Sequence, residues 1–361
     1  MMLVKLDMTP KERLAAYARG EEVDRIPTAL SAAETIPLLY GINLCDHYFS
    51  ADLMVQMETA LAQDFGADNM GIGLGLRSLP EALGVKLAYP KDSVSYIVEP
   101  AIASFDEIDR ITPANIDRDG RLPIIVEAFE RLQEKFGGTR ILSSGLAGPL
   151  TTAASLIGTE KFLKAMIREK EDAHRLLQRA TDCVVKCCED MHRRLGIKFT
   201  LSEPMASRNL LSGKHAAEFF FPYLKQAVER MNIFQGSTGI HICGSTRDRW
   251  QEVVDCGVSG FWIDNCESMR ELKGLYGDKI AISGNVTPVE VLKNGTPEAV
   301  AEAVRQCVLD AADNPCGYTL CPGCTTPVLT PRENLIAFMN AAATYGRGAR
   351  KGCVPEGVRG N

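Results

Sequence analysis

The chain has 361 residues, 45% hydrophobic and 24% charged, the balance of a globular protein with a sizeable core. A net charge of −6 argues against nucleic acid as a partner, because phosphate binding requires clustered Lys and Arg. No stretch approaches a transmembrane span and residues 1–10 lack a sustained apolar run, so the expectation is a cytoplasmic protein without membrane contact.

In chain order, a helical N-terminal extension leads to strand-like runs at 25–30 and 69–73. Residues 84–110 then break the rhythm and read as an inserted hairpin with strands at 85–88 and 95–99. Further strand candidates are 140–145, 198–203, 239–244, 260–265, 279–285 and 318–321. Amphipathic segments stand between them at 160–167, 216–231, 247–256, 297–312 and 331–343. Thr296-Pro297 and Thr330-Pro331 each place a capping residue before proline at a first helical turn. Eight strands with intervening helices predict an α/β fold, a (β/α)8 TIM barrel formed by 1–361 as a single domain. The Gly- and Arg-rich tail, 346–361, is expected to be a mobile end.

The twelve cysteines are not spaced like a small secreted disulfide framework. Cys183, Cys187 and Cys188 fall in a helical run at 175–194, and Cys256, Cys266 and Cys307 stand amid apolar neighbours. They read as buried small hydrophobes. So many free thiols suit a reducing, anaerobic cytosol.

The segment Gly239-Ile-His-Ile-Cys-Gly-Ser245, taken with Cys321-Pro-Gly-Cys324, carries the most chemistry. His241 and Cys243 are two apart in a strand-like run, so both point to one face and Ile242 to the other. With Cys324 they make one imidazole and two thiolates from separate strand ends, a zinc set that leaves a position open, as catalytic zinc does. Cys321 is the nearest competitor. It should stay in its strand, whereas Cys324, beyond the Pro-Gly turn, can curl back over the barrel mouth. Glu203, His241, Cys243, Asp264, Asn285 and Cys324 all end strands or follow them closely, at the face where barrels of this kind place their active sites.

Glu203 is either a solvated strand-end carboxylate or an exchangeable fourth zinc ligand displaced by substrate. Asp264 and Asn285 either contact a bound ligand or orient loops, and Asp264 is also placed to hold the His241 ring. Gly71-Ile-Gly-Leu-Gly75 lacks the spacing of a phosphate loop and instead admits a bulky ligand close to the backbone.

At these residues the chain resembles the uroporphyrinogen decarboxylase superfamily, and within it the corrinoid-dependent zinc methyltransferases of the methylcobalamin:coenzyme M type. The resemblance runs through Lys11-Glu-Arg13, Gly20-Glu-Glu-Val-Asp-Arg-Ile-Pro27, Ser202-Glu-Pro204, His241-Ile-Cys-Gly244, Ile282-Ser-Gly-Asn-Val286, residues 292–297 and Pro322-Gly-Cys324. It implies zinc on His241, Cys243 and Cys324, and a corrinoid carried on a partner protein. It further implies a small-molecule methyl donor or acceptor, either a thiol or a methyl ether that is demethylated. The family more often has Asp-Pro where this chain has Glu203-Pro204. The true decarboxylases lack the zinc cysteines and carry an Arg-rich signature after the first strand; here that region reads Thr28-Ala-Leu-Ser-Ala-Ala-Glu34. Two rivals stand beside methyl transfer: a tetrapyrrole decarboxylase, and a non-catalytic barrel that only binds a corrinoid. A cation-rich substrate region would favour a sulfonate thiol, and an apolar one, from Phe219, Phe220, Phe221, Phe261 and Trp262, an aryl ether.

Overall fold

The computed structural model describes residues 2–359. Two short antiparallel strands, β1 (Lys86–Ala88) and β2 (Tyr96–Glu99), form the inserted hairpin. Six parallel strands follow: β3 (Ser143–Ala147), β4 (Lys198–Ser202), β5 (Gly239–Ile242), β6 (Gly260–Ile263), β7 (Ala281–Val286) and β8 (Tyr318–Pro322). Each pairs with the next in sequence, and helices run between them. Ile240, Ile242, Phe261, Ile263 and Ile282 face outward into the helical layer and are fully buried there, the usual consequence of covering a parallel sheet on its outer side.

Two further staves close the ring, and neither is a regular strand. In the first, the Ala29 amide donates to the Leu320 carbonyl and the Leu320 amide to that of Pro27 (both 2.9 Å). In the second, Ser143 donates to Met70 at 3.1 Å and Ala147 to Gly75 at 3.0 Å. The two meet where the Asp68 amide donates to Thr28 at 2.9 Å. Eight staves therefore close a (β/α)8 barrel, as the sequence predicts, but the first two hold only isolated bridges. The reason lies in their residues. Pro27 has no amide hydrogen to give a ladder. Gly71, at φ 147°, brings its backbone so close to β3 that a Cβ would lie 1.9 Å from the Ser143 carbonyl oxygen.

The N-terminal helix, Pro10–Ala18, begins with a capping box between Thr9 and Glu12 and is pinned to the barrel by a buried ionic network. Arg13 pairs with Asp24 and Asp68, and Arg25 holds Asp68 at 2.8 Å. Asp68 also accepts the Thr28 amide at 2.9 Å, which sets the spacing of the two irregular staves.

Four expectations change. The helix foreseen at 216–231 is two helices, Gly213–Phe219 and Phe221–Gln235, because Pro222 cannot continue the first. Thr330 does not cap the last helix, Arg332–Tyr345; its hydroxyl donates to the Pro327 carbonyl, and Pro331 takes the cap position. Cys266 is exposed, whereas Cys183, Cys187, Cys188, Cys256 and Cys307 are buried as expected. The tail foreseen as mobile packs down: Ile26 donates to Gly346 at 2.9 Å, Val23 to Ala349 at 3.0 Å, and Val358 is buried. Residues 360 and 361 lie outside the described residues. Among the described residues no helix is long and apolar enough to cross a membrane.

Candidate metal centre and its cavity

His241 sits on β5 between Ile240 and Ile242, and strand alternation turns it into the barrel while they turn out. Its Nδ1 lies 2.9 Å from the carbonyl oxygen of Trp262, its register partner on β6. A carbonyl only accepts, so Nδ1 carries the hydrogen and Nε2 is left with its lone pair. Nε2 points to the Cys243 Sγ at 3.1 Å, and that sulfur lies 3.5 Å from the Cys324 Sγ. All three donor atoms lie within 4.8 Å of one another.

The turn after β5 is fixed by Gly244, which adopts φ 78° and whose Cβ, if present, would lie 2.7 Å from the Ser207 hydroxyl. The Gly244 amide donates to Asp264 Oδ2 at 2.8 Å, and Asp264 Oδ1 takes the Cys266 amide at 3.0 Å. Asp264 thus holds the backbone that carries Cys243. The His241 ring is held by Trp262 instead, in contrast to the placement expected for Asp264. Trp262 serves both sides of the centre: its ring lies against His241 with centroids 4.1 Å apart, and its indole N–H donates to the Pro322 carbonyl at 2.8 Å, just before Cys324.

The two thiols are electrically unequal. Cys324 is pushed down by the hydrogen bond from Cys243, while the same hydrogen bond, and burial, push Cys243 up. Cys321 is buried in β8, where it lines the hollow of the barrel, and burial pushes its thiol far up, so it remains protonated. Of the two cysteines in Cys321-Pro-Gly-Cys324, the structure brings Cys324 to the cluster.

Glu203 and Asn285 are not brought there. Glu203 is fully buried, and its carboxylate turns to the start of the helix Pro149–Ile157. There it accepts the Leu150 amide at 2.9 Å, the Thr151 amide at 2.8 Å and the Thr151 hydroxyl at 2.6 Å. These donors hold the carboxylate at a helix N-terminus, where negative charge is favoured, and no Glu203 oxygen joins the donor cluster, so neither the fourth-ligand nor the solvated reading describes it. Burial nevertheless outweighs them and pushes its carboxyl up to about 7. The Asn285 amide donates to the carbonyls of Asp264 (3.0 Å) and Glu267 (2.9 Å), which makes it a brace for the loop after β6 and not a corrinoid contact.

Beside the cluster the barrel is hollow. In register with His241 stand Ser202, Trp262, Ser283 and Thr319, and all four line a cavity of about 370 Å³. Ser202, Ser283 and Thr319 are small residues at inward positions where barrels usually place branched aliphatics, and they leave the space open beside Trp262. Gly71, Gly73 and Gly75 form part of the wall, as expected of a backbone that admits a ligand. Phe219, Phe220 and Phe261 are core, and of the aromatics proposed as lining only Trp262 faces the cavity. The sequence reading missed Glu58, which lines the cavity from the helix Ala51–Ala60. A signal existed: Glu58 falls at helical spacing on the apolar face of Met54 and Leu61.

The donor set fits zinc. A tetrahedral ion with sulfur at about 2.3 Å and nitrogen at about 2.0 Å needs sulfurs about 3.8 Å apart and nitrogen about 3.5 Å from sulfur. The distances present, 3.5 and 3.1 Å, are close to these.

Fold and site together define a (β/α)8 barrel with a soft-metal donor set at the C-terminal ends of its strands. A family model, uroporphyrinogen decarboxylase (URO-D), matches residues 9–345, and the chain belongs to that family. Among curated relatives, it is 27% identical over 344 residues to a methylcobamide:CoM methyltransferase of Methanosarcina acetivorans, covering 94% of this chain and 99% of that protein. It is 25% identical over 338 residues to the methylated-thiol–coenzyme M methyltransferase of Methanosarcina mazei, covering 93% of this chain and 89% of that protein. A solved methyltransferase from Methanosarcina mazei shares the fold with a TM-score of 0.82 at 24% identity, covering 93% of this chain and 98% of that one.

Proposed function

We propose that the protein is a zinc-dependent methyltransferase that moves a methyl group between a corrinoid on a carrier protein and a thiol or methylated small molecule. The observation that carries this reading is the convergence of His241 Nε2 with the sulfurs of Cys243 and Cys324 beside an open cavity. The names of the two curated relatives, both methyltransferases acting with coenzyme M, support it.

Zinc held by these three side chains would lower the pKa of a thiol bound at the open position, or polarise an ether oxygen, so that transfer to or from cobalt becomes accessible. The chain's own residues prepare this. Trp262 fixes the His241 tautomer through its carbonyl and excludes water from one side of the ring. Asp264 holds the turn that aims Cys243, and the Pro-Gly turn aims Cys324. In the thiol direction the sulfur–carbon bond would form as the cobalt–carbon bond of the corrinoid co-substrate breaks, its electron pair staying with the corrinoid and the thiol proton passing to solvent.

Decarboxylation of a porphyrinogen is disfavoured by the cavity wall, which has no Arg or Lys to clamp a polycarboxylate. The test is to supply zinc-loaded protein with a methylated or reduced corrinoid carrier and candidate methyl acceptors or donors, and to follow the cobalt spectrum. Spectral change that requires zinc and the right small molecule is expected. Formation of coproporphyrinogen from uroporphyrinogen by a zinc-free preparation would overturn the proposal.

A further inference from the structure

The cavity beside the metal centre is acidic, and no cation of the chain lines it. Among its wall residues the only charged side chains are Glu34 and Glu58. Glu58 is more than nine-tenths buried, and Oε2 accepts the Gly71 amide at 3.0 Å, the one hydrogen bond it receives from the described residues. Burial pushes its carboxyl up to about 7, against the Gly71 hydrogen bond and the pull of Arg140. Arg140 itself is turned to the carbonyls of Ala67 and Ala62.

Glu34 is likewise pushed up by burial, against the pull of Arg77 and Arg121. Neither arginine lines this cavity. Arg121 reaches a smaller cavity of about 30 Å³ that shares Glu34 and Glu58 in its wall. Its guanidinium is committed to Glu81, Tyr89, Ser78 and the Tyr48 carbonyl. Two carboxyl groups thus face one cavity whose wall holds no cation of the chain. Buried negative charge is costly unless paired. An anionic ligand would oppose ionisation of either carboxyl, whereas a ligand cation would favour the ionised form and supply the missing partner.

We propose that this cavity selects a methyl acceptor or donor whose end remote from the reacting atom is an ammonium group, held by Glu34 and Glu58, and rejects ligands of equal length ending in a sulfonate or carboxylate. The proposal rests on the reading of His241, Cys243 and Cys324 as a zinc site for a thiol or ether. It separates this chain from the coenzyme M reaction of the relatives, since coenzyme M is a sulfonate thiol.

Three thiols with the same two-carbon chain test it: 2-aminoethanethiol, 2-mercaptoethanol and 2-mercaptoethanesulfonate, titrated calorimetrically into the zinc-loaded and the metal-free full chain. The aminothiol should bind the zinc form roughly tenfold or more tighter than the sulfonate, with the alcohol between them. Glu34→Gln and Glu58→Gln should each erase most of the aminothiol's advantage over the sulfonate. The thiol series on the parent chain stands alone if either variant fails to fold. Equal or tighter binding of the sulfonate, with zinc-dependent binding of all three, would overturn the acidic-pocket proposal and leave the zinc reading standing. Binding of none of them, or equal binding without zinc, would overturn both.

Discussion

The barrel wall is built in two ways. From β3 round to β8 the strands pair in parallel, each with the next. Between β8 and β3 the ring is closed by two staves held through isolated bridges, with Pro27 and a run of glycines in place of ladder residues. The regular arc fixes donors: register sets His241 against Trp262, and Trp262 reaches on to Pro322 beside Cys324. The irregular arc makes room: Gly71, Gly73 and Gly75 carry no side chains into the cavity, and Glu34 and Glu58 reach it on that side. Precision and space are thus assigned to opposite walls, and each can be broken alone.

The largest expected effect breaks the regular side. Cys243→Ala and Cys324→Ala should each remove nearly all zinc measured by elemental analysis, whereas Cys321→Ala should retain about one ion per chain. Full zinc in Cys324→Ala with loss in Cys321→Ala would reverse the ligand choice. On the irregular side, Gly71→Ala puts a methyl group against the Ser143 carbonyl in a backbone region that side chains avoid. It should cost about 4 kcal/mol in denaturant unfolding through overpacking and strain combined. An unfolding free energy within about 1 kcal/mol of the parent would show that the staves relax freely around it.

The regular arc was legible in the sequence because a parallel strand announces itself locally, by apolar runs ending in polar residues. That placed His241, Cys243 and Cys324 on strand ends and kept Cys321 in its strand. The direction of a strand-end carboxylate was not legible. Glu203 lies next to the His241 strand in both readings, and only the distant helix start at Leu150 and Thr151 decides where its oxygens go. Asn285 escaped for the same reason, since its partners are carbonyls of a neighbouring loop. The cavity was half legible: the glycines marked a backbone open to a ligand, but its charge comes in part from Glu58, on a helix outside the strands.

Glu58 sharpens the comparison through pH. Its carboxyl rises from 4.5 to about 7 on folding, so the native state holds a proton that the unfolded chain has released. Stability is therefore unaffected below about pH 4.5, falls as pH rises toward 7, and bears the full cost above that. Glu58→Gln, which cannot ionise, should be more stable than the parent by up to about 3 kcal/mol at pH 8 and nearly equal to it at pH 4.5. Chemical denaturation of both at the two pH values checks this. A pH-independent difference would show that Glu58 is not the titrating group.

Glu203 gives the smallest effect and the cleanest division between holding the fold and holding the metal. Its carboxylate receives the first amides of the helix Pro149–Ile157, and its own amide donates to the His241 carbonyl at 2.8 Å. Glu203→Ala keeps that backbone bond but leaves two buried amides and the Thr151 hydroxyl without an acceptor. Each orphaned donor is destabilising, while release of a buried carboxylate offsets part of the loss, so a net cost of about 2 kcal/mol is expected. Zinc content should stay at the parent level, because no oxygen of Glu203 belongs to the donor cluster. Loss of zinc in Glu203→Ala at full stability would return the residue to the metal as a fourth ligand. Loss of stability at full zinc would confirm that the regular arc is braced from its helical side and liganded from its inner one.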